Sequence, residues 1–422
     1  MNQAATHASS APPNRWWQLI FGLVAMMAIS SPQYVWALFT KPLTDSLAVP
    51  LAEVQVAFSL LIVLQTFLSP FQGFLIDKFG PRLLLSAGAI LTGLSWVISS
   101  TMHSVWTLYF AYGVLGGIGT GIIYVGVVGL MVQWFPDKRG LATGLVAAGY
   151  GFGAILTTFP IANSLKASGL SHTLLVYGII IGIVGVLAAQ GLRRPQRNEI
   201  AAATASEEAA HPGRETRRSY TSREMLRTPI FWLMFAMMTM MSTSGLMVIS
   251  QMGAFAKDFG MVDVMVFGMA ALPLALSIDR IANGLTRPFF GWLSDRIGRE
   301  NTMFIAFGME GIAMTIWLMT RGDPVVFVLM SGVVFFGWGE IFSLFPSTLT
   351  DTFGTQHATA NYGFLYIAQG VGSILGGPIA ALLHAATASW IPVFVVIIAM
   401  NFLTAILALV MLKPMRRKWL AQ

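Results

Sequence analysis

The 422 residues are 55% hydrophobic and only 10% charged, with a mean hydropathy of +0.70, and a water-soluble fold has no interior large enough to hide that much apolar surface. Lipid is therefore the solvent for most of the chain. A formal net charge of +7 would suggest nucleic acid in a soluble protein, so the positions of the 25 Lys and Arg residues decide what it means.

Apolar stretches of about 20 residues, the length a helix needs to cross about 30 Å of hydrocarbon, recur along the chain. They predict membrane helices over 16–40, 51–76, 83–102, 105–134, 141–164 and 172–192, then over 231–256, 265–293, 302–320, 325–350, 359–383 and 391–412. The expected fold is an all-α membrane protein of twelve transmembrane helices. Between the sixth and seventh spans, 193–228 is charged and rich in small residues, which predicts a linker that cannot bury enough to order itself fully. The domain reading is a six-helix bundle over 1–192, the linker over 193–228 and a second six-helix bundle over 229–422. The basic residues alternate by side. One set of connections holds Arg15, Lys78, Arg82, Lys138, Arg139, the arginines of 193–227, Arg296, Arg299, Lys413, Arg416, Arg417 and Lys418. The other holds only Lys41, Lys166, Lys257 and Arg321. By the positive-inside rule both termini and the linker are cytoplasmic. The first apolar run is too long for a cleavable signal and lacks a small-residue cleavage site.

The halves carry an internal repeat. Gly73-Phe-Leu-Ile-Asp77-Lys-Phe-Gly80-Pro-Arg82 follows the second span, and Gly291-Trp-Leu-Ser-Asp295-Arg-Ile-Gly298-Arg299 follows the eighth. Each ends a helix with a carboxylate that can face basic groups or a neighbouring helix N-terminus, as a breakable latch would. This motif, repeated in a 6+6 layout, resembles the major facilitator superfamily over the whole chain. Trp134-Phe-Pro-Asp137-Lys138-Arg139-Gly140-Leu-Ala-Thr-Gly144 is similar to a loop of its oxalate/formate antiporter branch, which borders the monocarboxylate transporters. Further similarity lies in Asn14-Arg15-Trp16, Gln33-Tyr34-x-Trp36, Asn283-Gly-x-x-Arg287-Pro288-Phe289, Trp338-Gly339, Phe345-Pro346-Ser347 and Asn361-Tyr362-Gly363-Phe364. The resemblance implies an alternating-access carrier of a small organic anion in a cell membrane, with a bacterial inner membrane expected. Asp77, Arg82, Asp137, Arg139, Asp295 and Arg299 are the expected gating charges.

Ionisable side chains within spans are costly and usually line a water-filled path. They concentrate in the second half as Asp279, Arg280, Arg287, Glu310 and Glu340. Arg280 and Arg287 are seven residues apart and return to within about 20° of one helix face, with Asn283 between them. A guanidinium matches a carboxylate bidentately and stays charged when buried. Arg287 is read as the anion ligand, and Arg280 as either a second ligand or the ion-pair partner of Asp279, Glu310 or Glu340. Those carboxylates are proton carriers or structural ion pairs. The resemblance strengthens Arg287, because the Arg of this R-P-F motif in oxalate/formate antiporters is similar to one that binds substrate. Those antiporters also have a Lys where counting from Asn361 places Gln369. One arginine and a neutral amide suit one carboxylate, which favours a monocarboxylate such as lactate, pyruvate or formate over oxalate.

Gln33, Tyr34, Tyr124, Tyr150, Trp338, Phe342 and Tyr366 match cavity positions of the family, where aromatic walls enclose an anion and phenols donate to it. The glycines of 113–121 and 149–153 resemble a nucleotide loop only superficially, and within lipid-spanning helices they predict close helix contact. The chain has no cysteine, and its six histidines have no metal-ligand spacing. Neither an enzymatic activity nor a cofactor, metal or nucleic-acid partner is expected. The expected partners are the anion, a proton and the lipid bilayer, and the expected state is a monomer.

Overall fold

The computed structural model describes residues 15–216, 218–261 and 264–421, so Asn14 of the first similarity and Arg217 of the linker lie outside the described residues. Helices make up nearly all of it, because a backbone in lipid must satisfy its own hydrogen bonds. Several predicted spans are broken. The first divides into α1 (Trp16–Ala28), a turn at Ser31–Tyr34 and α2 (Trp36–Leu47), with a 52° bend. α3 (Leu51–Phe67) and α4 (Ser69–Phe79) meet at 51° beside Pro70. α5 (Pro81–Ser99) and α6 (Gly116–Trp134) follow. α7 (Arg139–Gly191) folds back at Gly169, whose φ of +80° only glycine adopts without strain, so its two limbs account for the predicted 141–164 and 172–192.

In the second half α8 (Pro229–Asp258) precedes a short hairpin pairing Met265–Val266 with Met269–Ala270. The span expected from 265 therefore starts later, as α9 (Ala271–Ile297), because Phe267 and Gly268 take positive φ and turn the chain. α10 (Arg299–Met319), α11 (Pro324–Phe336), α12 (Ile341–Phe353), α13 (Ala358–Ile374) and α14 (Ile391–Leu407) complete the order. α11 and α12 are one predicted span interrupted at 337–340. Among the described residues eight helices are long and apolar enough to cross a membrane, ten if each bent pair is one span. That number counts α7 once and leaves out α9, whose middle is charged by Asp279, Arg280 and Arg287.

The linker is more ordered than its composition predicts. Arg197–Ala210 is a helix with a reciprocal cap between Gln196 and Glu199, and the backbone of Thr216 and Tyr220 donates to the carbonyls of Asp351 and Phe353. Fixed charges at helix ends supply partners that a composition argument does not count. Arg193 pairs with Glu199 and Glu215 with Arg139. Burial raises the Glu207 and Glu215 carboxyls, while hydrogen bonding from Arg193 lowers Glu199.

On the linker face the two halves close on each other through glycines. Gly291 and Gly140 bring α9 and α7 into backbone contact, and the peptide after Arg287 covers Gly144. Gly73 lies against Thr359 and Ala360, and Gly363 against Ser69, so α4 meets α13 in the same way. The repeated motif crosses these seams. Gly80 and Gly298 share one backbone conformation (φ 93°, ψ 155° and φ 97°, ψ 154°), which ends α4 and α9 alike. Asp295 then accepts from the N–H groups of Gly140 and Leu141 at 3.0 and 2.9 Å, and Asp77 from that of Ala360 at 2.8 Å. Each carboxylate caps the N-terminus of a helix in the other half, where unpaired N–H groups and the helix dipole favour negative charge.

Asp295→Asn should weaken that closure by about 1–2 kcal/mol, the worth of a charged cap. The chain has no native cysteine to interfere, so a buried reporter on this face, Ser347→Cys, can be read cleanly. Its labelling rate from the linker side should rise several-fold with Asp295→Asn. An unchanged rate would remove the latch role.

Candidate functional site

Between the halves, on the side of the glycine seams remote from the linker, lies a cavity of about 490 Å³. Gln33, Tyr34, Tyr124 and Tyr150 line it from the first half, and Arg287, Trp338, Phe342, Tyr366 and Gln369 from the second. A neighbouring space of about 260 Å³ shares Gln33, Tyr34 and Trp338 and adds Asp279, Arg280 and Asn283. The sequence-derived cavity residues therefore converge from six separate segments.

Two helix breaks build the walls. The turn at Ser31–Tyr34 frees Gln33 to accept from the Tyr150 hydroxyl at 2.5 Å, and that hydroxyl accepts from Gln65 Nε2 at 3.1 Å. The break at 337–340 lets Trp338 turn its indole inward, where it donates to the Met241 carbonyl at 2.8 Å and packs on Gly245. Tyr124 stacks on Tyr366 at 4.8 Å and meets Tyr150 edge-on at 5.3 Å, which makes one aromatic surface across both halves. Gln65 was not expected from the sequence, since one buried glutamine in an apolar run looks like any other.

Arg287 is 2% exposed and has none of the described carboxylates bonded to it. Its Nη1 donates to the Ala147 carbonyl of α7 at 2.6 Å and its Nη2 to Asn283 Oδ1 at 2.8 Å, its guanidinium lies 4.6 Å over the Phe342 ring, and its Nε has no partner. Gly144 lets α7 lie against the Arg287 carbonyl, and Gly339 makes room for the preceding turn of α9, since a Cβ there would meet the Asn283 carbonyl at 2.8 Å. Gln369 Oε1 is also buried without a partner. A buried cation held by neutral acceptors, with a donor to spare, is prepared for an anion.

The other charges divide. Arg280 is exposed and makes no hydrogen bond or ion pair with any described residue, so the expected Asp279–Arg280 pair is not formed. Adjacent helix residues point about 100° apart, which separates the two heads. Asp279 is instead buried beside Ser331. Glu310 and Glu340 are wholly buried away from Arg280. Among the charges expected to gate, Asp295 and Arg299 bond at 2.5 Å, and Arg299 also holds Asp351, which Arg139 reaches from the other half at 2.7 Å. Arg82 is exposed and takes no part in the latch expected of it, because the repeat has a proline before it and Arg194 of the linker stands 3.8 Å from Asp77 instead. Asp137 pairs bidentately with Arg15 inside its own half, so it does not bridge the halves as a gate. Asp351 escaped the sequence reading because the predicted span stopped at 350. Its signal was present, since Asp-x-x-Gly recurs at 77–80, 137–140, 295–298 and 351–354.

Helices in two facing sets, an anion-ready cation between them and seams of glycine define a membrane carrier. The chain belongs to the Major Facilitator Superfamily, whose model matches residues 18–278 and 237–421. It is 35% identical over 407 residues to the oxalate:formate antiporter of Oxalobacter formigenes, covering 96% of this chain and 93% of that one. It is 24% identical to monocarboxylate transporter 13 of Bos taurus over 90% of this chain and 82% of the relative. The solved structure of the proton:xylose symporter XylE with a bound bromodeoxyglucose superposes with a TM-score of 0.75 over 94% of this chain and 96% of that one, at 14% identity, a likeness of fold alone.

Arg287→Lys keeps the charge but loses the planar fork and the stack on Phe342, about 2–3 kcal/mol, so anion uptake per protein should fall roughly 30- to 150-fold with protein level unchanged. Near-normal uptake would remove Arg287 from the site.

Proposed function

We propose that this protein is a secondary active transporter of small monocarboxylates, of the lactate, pyruvate or formate type, working by alternating access with proton coupling. The chain is read as twelve spans in two six-helix bundles over 1–192 and 229–422, with both termini and the linker in the cytoplasm of a bacterial inner-membrane protein. The cavity then faces outward and the glycine seams close the cytoplasmic side. The observation that carries the substrate class is that, among the described residues, Arg287 is the single cation lining the cavity, with a neutral amide at Gln369 in the same lining. One guanidinium offsets one carboxylate, and a second desolvated negative charge would lack a partner.

The same arginine links binding to rocking. Its bond to the Ala147 carbonyl crosses between the halves, so opening the cytoplasmic side removes that acceptor. A bound carboxylate can replace it, keeping the guanidinium satisfied while α7 and α9 part. Gln33, Tyr34, Tyr124 and Tyr150 would hold the anion from the first bundle, and Asn283, Trp338, Phe342 and Tyr366 from the second.

A second reading, exchange of two anions, is favoured by the 35% identity to an oxalate:formate antiporter. Uptake of labelled anions by proteoliposomes separates the two. Accumulation of a monocarboxylate driven by an inward proton gradient, with nothing inside to exchange, supports the symporter, and uptake that requires internal anion supports the exchanger. Gln369→Lys should improve competition by oxalate relative to formate, while the wild type should prefer the monoanion. A wild-type preference for oxalate by a wide margin would place Arg280 in the site as a second ligand and overturn the monocarboxylate assignment.

A further inference from the structure

We propose that Glu310 and Glu340 together form one buried proton site that takes up a proton when a monoanion binds Arg287, an inference that rests on the carrier reading above. The two side chains are 0% exposed and come from different elements, Glu310 from the middle of α10 and Glu340 from the break between α11 and α12. Gly337, three residues before Glu340, packs the break against Glu310, since a Cβ there would meet the Glu310 Cβ at 2.8 Å.

Hydrogen bonding leaves the pair unsatisfied. Ser244 donates to Glu310 Oε1 at 2.8 Å, but Glu310 Oε2 and both oxygens of Glu340 have no partner. The groups facing the pair are Ser244 from α8, Thr286 and Arg287 from α9 and Asn401 from α14, and of these only Arg287 is charged. The Thr286 hydroxyl is already engaged by the Phe336 carbonyl. Glu340 in particular is an unpartnered acidic side chain sealed from water, and Glu310 is among the charges that act on it.

Charge balance then sets the proton count. Two ionised carboxylates facing one guanidinium would leave an uncompensated negative charge in a dry interior, at a cost of several kcal/mol. One proton shared by the pair makes the cluster with Arg287 neutral. A monoanion on Arg287 adds one negative charge, and a second proton, entering from the cavity water onto a carboxylate oxygen, restores neutrality. Release reverses both steps, with the anion leaving Arg287 and the O–H proton returning to water on the other side. The stoichiometry is one proton per monoanion, and no redox partner is involved.

The test is proton uptake by the purified full-length chain in weakly buffered detergent solution, read with a pH indicator while formate is titrated in. The wild type should take up about one proton per formate bound. Because binding takes up a proton, its affinity should weaken by up to about tenfold per unit rise in pH where the pair titrates. Glu310→Gln and Glu340→Gln singly should each retain the uptake, because the remaining carboxylate still ionises against Arg287 and still protonates when the anion arrives. The double variant should bind formate with no proton uptake and no pH dependence, a signature that a packing role alone would not produce. Should the double variant fail to fold, Asp279→Asn decides, since loss of uptake there would move the proton to Asp279 and overturn the proposal. Formate binding by the wild type without proton uptake, or stimulated by sodium chloride but not by choline chloride, would also overturn it while leaving the carrier reading intact. Failure of the wild type to bind any monocarboxylate would overturn the carrier reading itself.

Discussion

A guanidinium sealed between two halves of a membrane protein, with none of the described carboxylates bonded to it, is the constraint on which the rest of the structure depends. Arg287 is held by a carbonyl, an amide and an aromatic face, none of which carries a full negative charge. Holding it there requires backbones to approach more closely than side chains allow, which explains the glycines at 144 and 339 beside it. Because its carbonyl acceptor belongs to the other half, the cation is satisfied only while the linker face stays closed or while an anion takes the carbonyl's place. In the proposed carrier, binding and conformational change thereby share one atom group.

The breaks in the helices follow from the same requirement. A regular helix has no free backbone turn with which to aim a side chain across a cavity. The turn at Ser31–Tyr34 and the interruption at 337–340 provide such turns on opposite walls, presenting Gln33 and Tyr34 from one and Trp338 from the other. Non-helical backbone at membrane depth is tolerated where it is buried in protein or lines a watered space, and both breaks meet that condition.

Much of this was legible in the residues. Apolar runs located most helices, the doubled Asp-x-x-Gly motif located both seams, and the seven-residue spacing of Arg280 and Arg287 placed both on the cavity side of one helix. What was not legible depended on distant partners. The helix breaks lie inside runs that stay apolar, so no change of hydropathy marks them, and the fold-back at Gly169 differs from neighbouring glycines only in its φ. Linker order depends on Asp351, Phe353 and Arg139, far off in the chain. The Asp279–Arg280 pairing failed for a local reason, since adjacency in sequence is divergence on a helix.

The two seams share a motif but not a strength. At the α7–α9 seam Asp295 holds two N–H groups and Arg299, and Arg299 and Arg139 converge from opposite halves on the fully buried Asp351. At the α4–α13 seam Asp77 holds one N–H group, and its nearest cation is the partly exposed Arg194 at 3.8 Å. A buried charged network loses far more on separation than a solvated pair, because breaking it strands charges that water cannot reach until the face opens. The energetic barrier to opening the linker face therefore sits at the α7–α9 seam, and Arg287 lies on that same seam, two turns of α9 from Asp295. An anion that draws Arg287 away from Ala147 loosens the contact adjacent to the strongest part of the closure. Under the proposed function, that proximity is what lets a ligand of only a few atoms act on the seam that closes the linker face.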